Sequence, residues 1–262
     1  MPKLIVSDID GTLLPYGQTV LPEELFPLIR RLLERGILFC PASGRQVHSL
    51  RYLFAPVADE ICFLCENGAV LYGPGREGTA PLLAKTVMPR EKALQLIRDI
   101  LAIPGCDALI SGQETSYLLP GGSEPLHRDL SVRLHNRVQI VQQAEEIPED
   151  IVKIAAFCPE DLEGPARILT PRWRPHFSVA VAGAEWLDFT TSDKGRGLRQ
   201  LSEALGISLA ETAAIGDNEN DRPMLEAAGE AWIMAGAAPE LLRRFPRHCE
   251  NALAVLESYL HP

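Results

Sequence analysis

Four short stretches of this chain carry residues that could do chemistry together. Near the start, Ser7-Asp8-Ile9-Asp10-Gly11-Thr12 follows the apolar run Leu4-Ile5-Val6. Side chains alternate faces along an extended segment, so Asp8 and Asp10 point the same way from a strand end. Two crowded carboxylates repel each other unless something positive lies between them, and a divalent cation is the simple answer. Gly11 permits a sharp turn, and Thr12 can hydrogen-bond within it. Taken alone, the same residues could be an ordinary acidic turn. The other three stretches decide: Ser43-Gly44-Arg45, Lys194-Gly195, and Gly216-Asp217-Asn218-Glu219-Asn220-Asp221.

Each of those also has a plain reading, as a turn, an exposed lysine and a solvated or helix-capping acidic loop. The last is not an EF-hand, because the ligand spacing and terminal Glu are missing. Together they suit phosphoryl transfer. One carboxylate can attack phosphorus and carry an acyl phosphate. A second can give a proton to the leaving oxygen and take one from the hydrolytic water. Mg²⁺ prefers hard oxygen ligands and can bridge nucleophile and phosphate. A hydroxyl, backbone N–H groups and an ammonium can stabilise the equatorial oxygens.

The elements that must position these residues follow a βα rhythm. Leu4 to Val6 is a buried strand. Pro22-Glu23-Glu24 opens a helix with Pro in its first turn and acids at its positive end. Leu25, Leu28, Ile29, Leu32 and Leu33 form its apolar stripe, and Gly36 ends it. Ile37 to Cys40 is a second strand, which breaks into the Ser43 loop. A right-handed parallel crossover puts the Ser43 loop and the Asp8 loop on one carboxyl edge of a sheet, where ligands bind in open α/β folds. A helix is expected over Gln46 to Phe54, then a strand over Ile61 to Cys65. Asn67-Gly68 reads as a tight hairpin turn, with a site-lining loop equally open.

The stretch from Gly73 to Pro81 is rich in Gly and Pro and has no periodicity, which marks a domain boundary. Beyond it the pattern becomes α+β, with a helix over Pro89 to Ala102. Strands are expected over Cys106 to Ser111, Thr115 to Leu119, Ile151 to Phe157 and Phe177 to Val181. Glu185 to Thr190 reads as the return strand into the first domain. A helix from Lys194, a strand over Ala213 to Ile215 and a strand over Ala231 to Met234 then resume the earlier rhythm. The expected fold is therefore α/β: a Rossmann-like core with a mostly parallel sheet, residues 1–80 and 185–262, and an inserted α+β cap, residues 81–184.

Composition narrows the function classes. The chain has 262 residues, 46% hydrophobic and 23% charged, with a formal net charge of -10. That acidity argues against nucleic-acid partners, which need a basic footprint. An anionic substrate must be attracted locally, by a metal or a few placed cations. No leading segment has signal-peptide form and no apolar stretch reaches membrane-spanning length, so a cytoplasmic protein without a membrane partner is expected. Six cysteines are scattered; Cys62 and Cys65 have metal-pair spacing, but they face opposite sides of an expected strand and no second pair completes a zinc site. All six read as reduced thiols. The polar run from Leu126 to His135, with two Arg and two His, reads as solvated cap surface in preference to an anion site.

Asp8-x-Asp10-Gly11-Thr12, Ser43-Gly44-Arg45, Lys194-Gly195 and Gly216-Asp217-x-x-Asn220-Asp221, in this order, resemble the four-motif set of the haloacid dehalogenase-like (HAD) phosphatases. Asn67-Gly68-Ala69 and the position of the insertion are similar to the Cof-type subgroup, which carries a large α/β cap between the second and third motifs. The resemblance implies a Rossmann-like core and a Mg²⁺-dependent phosphatase working through an aspartyl phosphate. It implies that Asp8 is the nucleophile and a metal ligand. Asp10 would be the general acid/base, with its backbone carbonyl on the metal, and Asp217 a direct ligand. Ser43, Gly44, Lys194 and Asn220 would hold the phosphoryl group. Asp221 would act behind the metal or position Lys194. One departure is Ile233-Met234-Ala235-Gly236-Ala237-Ala238, which lacks the Asn of the family's Met-Gly-Asn-Ala segment.

The expected substrate is a small phosphorylated metabolite, such as a sugar phosphate, and the expected assembly a monomer or homodimer. A phosphomutase or phosphotransferase of the same family is the alternative. A non-catalytic metabolite-binding regulator ranks below both, because Asp8, Asp10, Lys194 and Asp217 are all present.

Overall fold

The computed structural model describes residues 1–261. It divides into two compact units. The first comprises Met1–Ser43, Leu50–Ala84 and Asp193–Pro262, and the second comprises Gly44–Ser49 and Lys85–Ser192.

The first unit is built on a five-stranded sheet in the order His248–Cys249, Glu230–Met234, Thr212–Gly216, Leu4–Ser7 and Leu38–Pro41. Every pairing in it is parallel. The central strands are buried on both faces, which is why they read as unbroken apolar runs. Ser7 lies beside both Pro41 and Ile215, so the residues after all three strands leave from one sheet edge. The first helix runs over Leu25–Glu34 and buries Leu25, Leu28, Ile29 and Leu32. Pro22, Glu23 and Glu24 form the turn ahead of it, so the two acids stand just outside the first helical turn. The helix Lys194–Leu205 begins at Asp193, whose side chain accepts the Arg196 N–H at 2.8 Å.

Phe63–Cys65 and Val70–Tyr72 pair as an antiparallel hairpin, and Leu82–Lys85 adds a third strand. The hairpin turn is more contorted than its Asn-Gly pair suggests. Glu66, Asn67 and Gly68 all have positive φ, at 51°, 55° and 88°. A Cβ on Gly68 would lie 2.4 Å from the Asp193 carbonyl oxygen, so the turn packs on the start of the Lys194 helix.

The second unit holds a six-stranded sheet in the order Ser178–Ala182, Trp186–Thr190, Lys153–Phe157, Asp107–Ser111, Ser116–Leu118 and Val138–Ile140. The helices Arg90–Leu101 and Glu163–Trp173 belong to this unit, and its apolar core includes Leu96, Ile97, Ile110, Ile154, Trp173 and Phe189. The expected return strand is corrected here. Trp186–Thr190 pairs antiparallel with Ser178–Ala182 and with Lys153–Phe157. The first unit therefore resumes at Asp193, not at 185, and the other junction falls at Ala84, not at 80. The tight turn around Gly183, with φ 68°, returns the chain onto the strand it has just left. Hairpin proximity wins over a distant parallel partner. The stretch Gly44–Ser49 also belongs with this unit, where the Gln46 amide donates to Ser116 Oγ and accepts the Arg137 N–H.

Within the polar run, Glu124–Arg128 is a short helix continued by a wide turn over Asp129–Arg133. The Arg133 side chain pairs with Asp129.

Candidate active site

Asp8 follows directly on the strand Leu4–Ser7, and its N–H donates to the Ile215 carbonyl at 2.8 Å. The side chain is therefore fixed at the sheet edge and is 6% exposed. Lys194, the first residue of its helix, is 1% exposed and reaches the same place. Its ammonium lies 2.5 Å from Asp8 Oδ1 and 2.6 Å from Asp221 Oδ1. Asp221 is wholly buried. Its second oxygen accepts the N–H groups of Asp217 and Asn218, both at 3.0 Å, and so shapes the loop that carries Asp217.

Asp217 follows Thr212–Gly216 and approaches the first motif from the neighbouring strand. Thr12 Oγ1 donates to its Oδ1 at 3.4 Å, and Tyr16 donates to its Oδ2 at 2.6 Å. The turn at Gly11 (φ 98°) is pressed close to this carboxylate. A Cβ there would lie 2.3 Å from Asp217 Oδ2 and 2.7 Å from the Tyr16 phenol. The positive φ favours glycine, and any larger residue would also push these two side chains aside.

Asp8, Asp217 and Asp221 place carboxylate oxygens within 4.8 Å of one another. Three carboxylates against one ammonium leave the cluster strongly negative. Burial raises the pKa of Asp8 well above the ordinary range, and the Asp221 charge raises it further despite Lys194. Burial likewise raises Asp217. Burial alone would lower Lys194, but Asp221 and Asp8 outweigh it and hold the ammonium charged.

These groups fit a hard divalent cation. Asp8 Oδ2 is buried with no hydrogen-bond partner, next to a carboxylate on the adjoining loop. An unsatisfied carboxylate oxygen in a surplus of negative charge is what such a cation corrects. Asp8 and Asp217 would hold it, since each directly follows one of two neighbouring parallel strands and their carboxylates lie close together. Asp221 is wholly buried, with Lys194 on one oxygen and two backbone N–H groups on the other, so its place is behind them.

The other expected residues stand on the following elements. Asp10 has an exposed side chain and stands outside the three-carboxylate group. Ser43 is buried on the loop after Leu38–Pro41; its N–H donates to Leu64 and its carbonyl accepts from Asn67. Asn220 is half-buried on the turn Glu219–Asp221. Gly44 lies in the stretch grouped with the second unit, where its carbonyl accepts from Lys153 Nζ at 2.5 Å. Tyr16 was not legible. It is 72% exposed in a Pro-Tyr-Gly turn, with no periodicity or charge to mark it.

A parallel sheet thus carries a cluster of three acids and a lysine at its carboxyl edge. The chain belongs to the haloacid dehalogenase-like hydrolases, whose family model matches residues 5–251. It is 25% identical over 260 residues to the 5-amino-6-(5-phospho-D-ribitylamino)uracil phosphatase YbjI of Escherichia coli, covering 97% of this chain and 94% of that protein. It is 28% identical over 262 residues to the HMP-PP phosphatase of Cronobacter sakazakii, covering 96% and 92%. A haloacid dehalogenase-like hydrolase from B. subtilis shares the fold, with a TM-score of 0.82 at 21% identity over 97% of this chain and 99% of that one. The chain is thus an enzyme of a hydrolase family, and the two named relatives are phosphatases. No helix among the described residues is long and apolar enough to cross a membrane.

Proposed function

We propose that the protein is a Mg²⁺-dependent phosphatase that hydrolyses a small phosphorylated metabolite through an aspartyl phosphate on Asp8. The observation that carries this reading is the state of the Asp8 carboxylate. Lys194 pins one oxygen, and the other is buried and unpartnered beside Asp217. The two curated relatives described above are phosphatases of small phosphorylated compounds, which supports the same substrate class.

In this reading Asp8 attacks phosphorus and the bond to the leaving oxygen breaks. Asp10 gives that oxygen a proton, from a side chain that is exposed and outside the three-carboxylate group. Asp10 then takes a proton from the water that attacks the phosphoryl aspartate, and free phosphate leaves. Lys194 draws the Asp8 carboxylate into line and neutralises phosphoryl oxygens. Asp221 holds Lys194 charged and shapes the Asp217 loop. Ser43, Gly44 and Asn220 are assigned to the phosphoryl group. Asp8, Asp217 and the Asp10 carbonyl would hold Mg²⁺, which would supply charge neutralisation to the reaction when bound. The first unit is read as the catalytic core and the second as the cap that selects the substrate.

The test is phosphate release from a generic aryl phosphate with and without Mg²⁺, followed by a panel of phosphorylated metabolites. Release should require both Mg²⁺ and Asp8. Undiminished release by Asp8→Asn would overturn the mechanism, and phosphate appearing on an acceptor in place of solution would make the protein a transferase.

A further inference from the structure

The second unit holds a pair of sulfurs that the reaction does not use. Cys106 stands just before the strand Asp107–Ser111 and Cys158 just after Lys153–Phe157. These strands are antiparallel neighbours with Asp107 opposite Phe157, so the two cysteines occupy the next rung. Directly opposed residues of such a pair have Cα atoms about 4.5–5.5 Å apart. A disulfide spans about 4.4–6.8 Å between Cα atoms, so the register alone allows the bond. The side chains meet as well: the sulfurs lie 2.7 Å apart inside the apolar core of this unit. The Cys106 N–H donates to Ile103 and that of Cys158 to Glu185, so no backbone bond between the two has to break. The other four cysteines all lie in the first unit.

We propose that Cys106 and Cys158 form a redox-modification site, at which a peroxide converts two thiols into a disulfide joining the two strands. Cys106, 8% exposed against 2% for Cys158, meets the peroxide first. Its sulfur attacks one peroxide oxygen, the O–O bond breaks, and hydroxide leaves and takes up the thiol proton as water. The sulfenic acid at Cys106 is then attacked by the Cys158 sulfur. The S–O bond breaks, and a second water leaves with the Cys158 proton. Two thiols and one peroxide give one disulfide and two waters. Burial pushes both thiols up, which keeps them protonated and makes the pair slow to react. The bond would close the chain from 106 to 158, around Ser116–Leu118, Glu124–Arg128 and Val138–Ile140. It would constrain the unfolded chain and stabilise this unit.

The test uses the full-length protein, reduced with dithiothreitol, freed of reductant and treated with hydrogen peroxide. Remaining thiols are alkylated under denaturing conditions, and the digest is mapped without reduction. The expected result is one peptide pair joined at Cys106 and Cys158, four alkylated cysteines, and a thermal midpoint several degrees above that of the reduced protein. Dithiothreitol should reverse all three. Cys106→Ser and Cys158→Ala should each lose the joined pair and the rise in midpoint. Six alkylated cysteines after treatment, or sulfinic acid at Cys106 with no joined peptide, would overturn the proposal. Mapping the wild-type protein decides the matter even if a variant folds poorly.

Discussion

The Tyr16 phenol donates a 2.6 Å hydrogen bond to Asp217 Oδ2, while Thr12 approaches Oδ1 of the same carboxylate. The fourth motif is thus oriented by a residue just beyond the first. A partner that fixes a ligand's orientation typically contributes 10–100-fold in metal affinity.

Tyr16→Phe should therefore weaken Mg²⁺ binding about tenfold, measured by titration calorimetry on the unliganded protein. Because the side chain is 72% exposed, global stability should change by less than about 0.5 kcal/mol. At saturating Mg²⁺ the turnover number should recover most of its wild-type value. Tighter binding in the variant would mean that the phenol competes with the metal instead of supporting its ligand.

Lys194 lies between two buried carboxylates and pairs with both. Lys194→Met should abolish phosphate release. It should also destabilise the metal-free protein by about 3–5 kcal/mol, the usual cost of stranding a buried charge. Denaturant unfolding measures that loss. A stable variant would show that the fold does not need the ammonium between Asp8 and Asp221.

Asp10→Asn separates proton transfer from metal binding. The Asp10 side chain is outside the carboxylate cluster, and the backbone carbonyl survives the change. Both formation and hydrolysis of the aspartyl phosphate should slow, by about 10²–10⁴-fold, in single-turnover measurements. Mg²⁺ affinity should remain close to wild type.

Asp8 and Asp217 both have raised pKa values, first because of burial. An acid whose folded pKa is raised stabilises the fold below its unfolded value, near about 4, and that stability is lost as pH rises through the raised value. The metal-free protein should accordingly lose stability over that window. Mg²⁺ should restore more of it as pH rises, because fewer protons compete for the ligands. The thermal midpoint should rise more with Mg²⁺ at roughly pH 8 than at roughly pH 5. The increment should shrink in Asp8→Asn.

Much of the site was legible because its residues stand at points that sequence marks well. Asp8 and Asp217 come directly after short apolar strands, and Lys194 begins a helix with an Asp at its cap. Asn67-Gly68 was correctly a hairpin turn, but the left-handed Glu66 before it was not foreseeable, since no local rule puts glutamate at positive φ. Trp186–Thr190 was misplaced for a different reason. Its residues are mostly buried, and a buried run carries no record of which sheet it joins.

The sequence by itself determined the parallel-sheet core, the order of the motifs and the residue types that face the sheet edge. Those follow from local signals: strand length, apolar periodicity, and turn and capping residues. Only the tertiary structure decided that Asp221 has both oxygens engaged while Asp8 keeps one unpartnered. It alone set Tyr16 against Asp217 and Cys106 against Cys158. Such contacts join residues tens to hundreds of positions apart, and their geometry depends on sheet register and packing, which no stretch of sequence encodes on its own.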